Sequence, residues 1–254
     1  MSSVCIEVED AVAIVTLNEP SRRNALTLRM VEDIETAFDR VESNAAIRAV
    51  VLIGAGSAFC AGADLQVLLA GDSNVFRRIY EAFLRVRRCP LPTIAAVHGA
   101  AAGAGLNLVL ACDLCITAPS AKFQSRFLEV GLHPGGGHSW MLVRTVGIGL
   151  AKAMLLFNQE LDGESAVAAG LSFRCVPAEK LVEEAKALAR QAAAAPRPLL
   201  ERTKDTIEGM SAVLDHEGAV EIEAAAQAWS TTLPYLKERL EALQKQIAAR
   251  AAAR

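Results

Sequence analysis

The chain has 254 residues, 52% of them apolar and 22% charged, with 26 Lys+Arg against 29 Asp+Glu for a net charge of −3. This is a globular balance that excludes disorder, and the length allows a core burying roughly three quarters of the unfolded surface. No basic block is present, so nucleic acid is not an expected partner; the six scattered cysteines read as reduced thiols of a cytoplasmic protein, not as a disulfide framework.

Met1 to Glu7 offers no apolar targeting core. Val4 to Leu17 alternates as a β-hairpin around Glu9-Asp10, followed by a turn at Asn18-Glu19-Pro20-Ser21. Thr27 then caps a helix whose apolar residues Met30, Val31, Ile34, Ala37, Phe38 and Val41 recur at three- and four-residue spacing. The continuous apolar run from Ala49 to Ile53 reads as a strand covered on both faces, ended by Gly54-Ala-Gly56. The unit recurs as a strand at Thr93 to Val97, a turn from Gly99 to Gly105, a helix from Leu106 to Ala111 and a strand at Leu114 to Thr117. Strands alternating with helices imply crossovers and a largely parallel sheet, an α/β fold.

From Cys89 to Cys112 no charged residue occurs, which is long enough for a membrane span. Pro90, Pro92, Gly99, Gly103 and Gly105 interrupt it, so a buried strand, turn and helix is the better reading and no membrane partner is expected. Beyond Gly131 the pattern predicts helices at about 137–146, 149–157, 164–169 and 178–195, then two more past Pro198. A boundary near Pro196-Arg-Pro198 divides an α/β core, residues 1–195, from a helical region, residues 196–254. In the tail, Leu233, Leu236, Leu240, Leu243 and Ile247 at helical spacing pack either on their own domain or on a partner helix.

Several familiar motifs fail. Gly54-x-Gly56 and Gly103-x-Gly105 lack the third glycine of a dinucleotide fingerprint, and neither a phosphate loop nor a Gly-x-Ser-x-Gly elbow occurs. Cys112-Asp-Leu-Cys115 has no second pair for zinc and joins a helix end to a strand, so it reads as ordinary buried cysteines. His98, His133, His138 and His216 form no metal-ligand pattern, and no metal is expected.

Two glycine-rich turns remain, each after an apolar strand: Gly54 to Leu65, and His98 to Asn107 leading into Cys112-Asp113. Small residues let a ligand approach the backbone and leave amide N–H groups free; the second turn also opens a helix, whose first N–H groups lack internal partners. Two such amides converging on one point make an oxyanion hole. The alternative for either turn alone is close packing without a ligand.

Together the segments Thr16 to Leu26, Ala58-Phe-Cys-Ala-Gly-Ala-Asp-Leu65, residues 98–113, Ala121-Lys-Phe123, Gly131-Leu-His-Pro-Gly135 and Leu161 to Pro177 resemble the enoyl-CoA hydratase/isomerase (crotonase) family. The resemblance implies a crotonase-like spiral of ββα units, the ClpP/crotonase fold, with a helical C-terminal trimerisation region assembled as a homotrimer or a dimer of trimers. It implies an acyl-CoA substrate, with coenzyme A as part of that substrate and no tightly bound cofactor. The amides of Ala63 and Ala104 match the family's oxyanion hole. Coenzyme A would lie near Arg22, Arg23 and Ala25, with Ala61, Asp64, Leu65 and Gln66 at the thioester end. Arg22 and Arg23 supply charge for phosphates, or are merely solvated.

The chain departs from the family where its hydratases carry two glutamates: the matching positions here are Asn107 and Phe127. A positioned acid or base contributes about 10²–10⁴-fold, so efficient hydration is not expected. His133 is the best substitute acid/base, since imidazole changes charge near neutral pH. His138 lies close by, and Glu129 would share a face with position 127 if the segment were extended. Phe127 suits an apolar or aromatic acyl pocket. The competing reading is a degenerate acyl-CoA-binding protein without turnover.

Overall fold

Successive residues of the central strands divide between two apolar layers. In β3 (Ala49–Gly54), Val50 and Leu52 enter the larger core and Ala49 and Val51 the smaller; in β4 (Thr93–Val97), Ala95 and Val97 enter the first, Ile94 and Ala96 the second. Period-two alternation with both faces covered is why these strands read as unbroken apolar runs. The computed structural model describes residues 2–252. The hairpin of β1 (Val4–Glu9) and β2 (Val12–Leu17) turns at Asp10-Ala11, and β2 then pairs in parallel with β3. With β6 (Leu114–Thr117) and β8 (Arg174–Cys175) the large sheet has the order β1-β2-β3-β4-β6-β8, and β5 (Ala100–Ala102) pairs with β7 (Lys122–Gln124) in a second sheet.

The helices α1 (Leu28–Ser43), α2 (Leu65–Ala70), α3 (Ser73–Arg87) and α4 (Ala104–Ala111) carry the crossovers. Thr27 caps α1 by accepting from Met30 N–H at 3.1 Å, and the six apolar residues expected to face inward are all buried. Phe38 is fully buried, and its truncation to alanine would cost about 3–5 kcal/mol. Next along the chain come α5 (His138–Leu156), α6 (Gly163–Ala168) and α7 (Leu181–Ala193); Leu181, Ala185, Ala189 and Ala193 of α7 cover the smaller apolar layer.

A strand of the large sheet, a strand of the small sheet and a helix recur as β4-β5-α4 and β6-β7-α5, and Cys60 makes a parallel bridge to Ala101 in an earlier turn of the same kind. This is the spiral of ββα units. Residues Met1–Ala194 form one compact unit and Ala195–Arg254 another. Within the second, α8 (Arg197–Gly209) packs on α9 (His216–Ser230), with the Arg202 guanidinium 4.9 Å from the Trp229 ring; α10 (Pro234–Ala252) follows.

Four expectations need correction. Three helices follow Pro198, not two, because the tail breaks again at Thr231 to Leu233. Ser73–Arg87 is a helix that the sequence reading passed over, although Ile79, Ala82, Phe83 and Val86 stand at helical spacing. The turn from Gly99 to Gly105 contains a strand. The segment after Phe127 is a 3-10 turn, Leu128–Val130, so Glu129 does not share an extended face with Phe127.

The charge-free stretch from Cys89 to Cys112 resolves into buried β4, β5 and α4. His138–Leu156 is long and apolar enough to cross a membrane by composition, but Gly147 breaks it with φ 76°, ψ 162°. Cys112 and Cys115 are buried, and burial pushes the Cys115 thiol up to about 12, the reverse of a reactive redox pair.

Candidate active site

Asn24, wholly buried, pins the first turn. Its amide donates to the carbonyls of Ala55, Ala58 and Phe59 at 2.9, 2.8 and 3.2 Å, and its Oδ1 accepts from Glu19 N–H at 2.9 Å. The strand beyond then ladders on both sides. Cys60 N–H donates to Ala100 O and Cys60 O accepts from Ala102 N–H, while Leu26 N–H donates to Gly62 O and Leu26 O accepts from Asp64 N–H. In a parallel bridge the residue flanked by those two bonds turns its own N–H the other way. That residue is Ala63, bridged to Leu26, so its amide points away from Leu26. Gly62 has φ +101°, and a Cβ there would stand 2.7 Å from Ala102 O and 3.8 Å from Ala104 N; only glycine lets the two turns meet.

The second turn ends at Gly103, φ 52° and ψ −113°, outside the regions open to other residues, which starts α4 at Ala104. As the first helical residue, Ala104 has an N–H with no partner inside the helix. Among the described hydrogen bonds, neither Ala63 N–H nor Ala104 N–H meets an acceptor.

Ala63 and Ala104 both border one cavity of about 400 Å³. Leu68, Phe76, Ile79, Tyr80 and Phe83, from α2 and α3, make an apolar wall. Phe127, Val130, Leu132 and His133 border the same space, and Ala61, Gly62 and Leu65 stand beside Ala63. Asn107 and Ser125 add polar atoms.

His133 is exposed at this cavity, and its Nδ1 lies 2.8 Å from Pro134 O. A carbonyl only accepts, so Nδ1 carries the proton and Nε2 presents its lone pair. His138 is different. It is 1% exposed and stands behind Asn107 and Ser125 instead of bordering the cavity, which corrects its expected place in the pocket. Its Nδ1 is 2.6 Å from Asn107 Oδ1, its Nε2 3.1 Å from Ser125 Oγ, and its ring meets Phe127 edge-on at 4.8 Å. Burial pushes the imidazole down to about 4. Glu129 borders the cavity but is drawn to Arg126, 2.9 Å away, at the surface.

Arg22 is half exposed and 3.4 Å from Asp64, which in turn caps α2 by accepting from Gln66 N–H at 2.9 Å. Arg23 is exposed, and its carbonyl accepts from Ala61 N–H at 3.0 Å, which ties it to the cavity rim; Ala25 is buried beside it. None of Arg22, Arg23, Ala25, Asp64 and Gln66 borders the cavity itself. Among the described residues no group of three or more His, Cys, Asp or Glu could hold a metal.

Sequence reasoning missed Asn24, the wall from α3 and Ser125. Ser125 had a partial signal: it lies two residues past the buried Phe123 of β7, but Arg126 at φ 52° breaks the extended run before Phe127.

A model of the enoyl-CoA hydratase/isomerase family matches residues 7–244. A protein named probable enoyl-CoA hydratase from Mycobacterium tuberculosis is 45% identical over 250 residues, 95% of this chain and 97% of its own length. The Escherichia coli 1,2-epoxyphenylacetyl-CoA isomerase is 36% identical over 209 residues, 77% of this chain and 78% of its own. The crystal structure of an enoyl-CoA hydratase from Bacillus anthracis superposes with a TM-score of 0.91 at 28% identity, covering 96% of each chain.

Proposed function

The chain belongs to the enoyl-CoA hydratase/isomerase family, and on that premise we propose that it holds the thioester carbonyl of an acyl-CoA between the amides of Ala63 and Ala104 and moves a proton at the α-carbon through His133. It is an acyl-CoA-processing enzyme of hydratase/isomerase type. One observation carries the finer reading: two residues whose N–H groups meet no acceptor among the described hydrogen bonds, from turns distant in sequence, border one largely apolar cavity.

Removing a proton next to a thioester leaves negative charge on the carbonyl oxygen. Fixed amide donors in a site screened from water stabilise that charge where it develops, and losing one such donor typically costs about 10²–10³-fold. The α4 dipole adds to the Ala104 donor. His133 Nε2 takes the α-proton and returns it along the chain of the enolate, which shifts a double bond. Water addition is poorly served, because Asn107 cannot ionise and Phe127 is apolar. Phe76, Tyr80, Phe83 and Phe127 suit an apolar, aromatic acyl group, the kind for which one relative is named.

Arg22 and Arg23 at the rim meet the nucleotide phosphates, and Ala25, Asp64 and Gln66 border its path. A reducing cytoplasm suits six cysteines that form no disulfide. Exposed Ile207, Leu214, Val220, Ile222 and Ile247 in the helical region suit burial in a homotrimer or dimer of trimers, which the mass in light scattering would show.

Deuterium uptake at the α-carbon tests the reading. Saturated acyl-CoAs that bind should exchange α-protons in D₂O, and His133→Ala should slow this by at least about 10²-fold with unchanged CoA affinity. Binding without exchange, or exchange untouched by His133→Ala, overturns it.

A further inference from the structure

We propose that Ser125, His138 and Asn107 form a nucleophilic relay that hydrolyses the same acyl-CoA thioester through an acyl-Ser125 ester. The distances are Ser125 Oγ to His138 Nε2, 3.1 Å, and His138 Nδ1 to Asn107 Oδ1, 2.6 Å. Their polarity follows from the neighbours. Asn107 Nδ2 donates to Gly135 O at 3.3 Å, so Oδ1 faces the imidazole and can only accept. Nδ1 therefore carries the proton, Nε2 is the acceptor, and Ser125 O–H donates to it. A hydroxyl, an imidazole base and a group that holds its tautomer make the arrangement of an activated nucleophile.

Position supports the same use. β5 and β7 pair Ala102 with Gln124, and Gly103 N–H donates to Gln124 O at 2.8 Å. One step further along that register Ser125 stands beside Gly103, and a Cβ on Gly103 would be 3.6 Å from Ser125 O. Ser125 thus borders the cavity next to the Ala104 amide. Phe127 packs on the imidazole in a T-shaped contact, so both positions where the family's hydratases carry glutamate, 107 and 127, here touch His138. Burial keeps the imidazole neutral at pH 7, so Nε2 has its lone pair, and the oxyanion formed beside it offsets the cost of charging the ring.

The chemistry balances with water as the only co-reactant. Ser125 Oγ bonds to the thioester carbon as its proton passes to His138 Nε2, and the carbonyl oxygen becomes an oxyanion on the Ala63 and Ala104 amides. Collapse breaks the C–S bond, and the departing thiolate takes the proton from Nε2. Water then attacks the acyl ester and gives its proton to Nε2, and Ser125 Oγ leaves with that proton, releasing the carboxylic acid. The proposal rests on the oxyanion hole described above.

The test combines binding, thiol release and intact mass with a panel of aliphatic and arylacetyl-CoAs. The expected result is thiol release with one acyl group on Ser125. Ser125→Ala should lose the adduct and slow release by at least about 10²-fold while still binding. Asn107→Asp should speed release, because a carboxylate steadies the imidazolium; a merely structural amide would show no gain. Release that survives Ser125→Ala, or tight binding with neither adduct nor release in the wild type, overturns the relay and leaves the α-proton chemistry standing. Failure of every acyl-CoA to bind overturns both.

Discussion

The segment around His133 and the helix start at His138 are neighbours in sequence and are built differently. His133 is exposed and borders the cavity, with Nδ1 tied to the adjacent Pro134 carbonyl. His138 is sealed behind Asn107 and Ser125, with both nitrogens bonded and a phenyl edge against its ring. The exposed ring has nothing to hold up and a free lone pair, so its removal should touch chemistry and not stability. The buried ring holds two cavity residues and pays a desolvation cost whenever it is charged, so its removal should touch both.

The sharpest way to break this contrast is His133→Ala. Turnover at the α-carbon should fall about 10²–10⁴-fold while the urea midpoint stays put; a large stability loss would mean that His133 is structural. Next in size is Gly62→Val. Its Cβ would collide with Ala102 O, so it should displace the Ala63 amide, lowering turnover about 10²–10³-fold and stability by about 1–3 kcal/mol. Separate measurements of rate and unfolding resolve the two effects.

The third prediction concerns pH. His138 is held near 4 in the folded chain and titrates near 6.5 when unfolded, so the unfolded state binds the extra proton between those values. Stability should therefore be full above about pH 6.5 and fall as pH drops toward 4, by about 2 kcal/mol between pH 7 and pH 5. Urea midpoints at the two pH values measure this, and His138→Gln should flatten the dependence where His133→Ala leaves it intact. The smallest effect is Arg22→Ala. Its ion pair with Asp64 is half exposed, so stability should change by less than about 1 kcal/mol, while the KM for acyl-CoA should rise a few-fold through a lost phosphate contact.

What could be read from the residues follows the same divide. The six buried residues of α1, the apolar run of β3 and the two glycine turns announce themselves because period and turn chemistry are local. Ala63 and Ala104 came from the family resemblance instead: glycines at 62 and 103 mark where the two turns bend, not which amides would hold a carbonyl. β5 and β7 were not legible as strands, since three residues each are too few for an alternation to show. Their register sets Ser125 beside Gly103, and the packing of α4 against the start of α5 joins Asn107 to His138. Contacts of that kind depend on residues far apart in the chain, so inspection could name Asn107, Phe127 and His138 singly but not as one cluster. Glu129 borders the cavity with Phe127 as expected, but by way of a 3-10 turn and not the extended segment that the sequence reading supposed.

The most direct measurement is the vibrational frequency of a ¹³C-labelled thioester carbonyl bound to Ser125→Ala, which removes the nucleophile and keeps both amides. Two charge-stabilising hydrogen bonds from Ala63 and Ala104 should lower the C=O stretch below its value in water, and Gly62→Val in the same background should restore it. A bound carbonyl with the frequency it has in water would contradict the account.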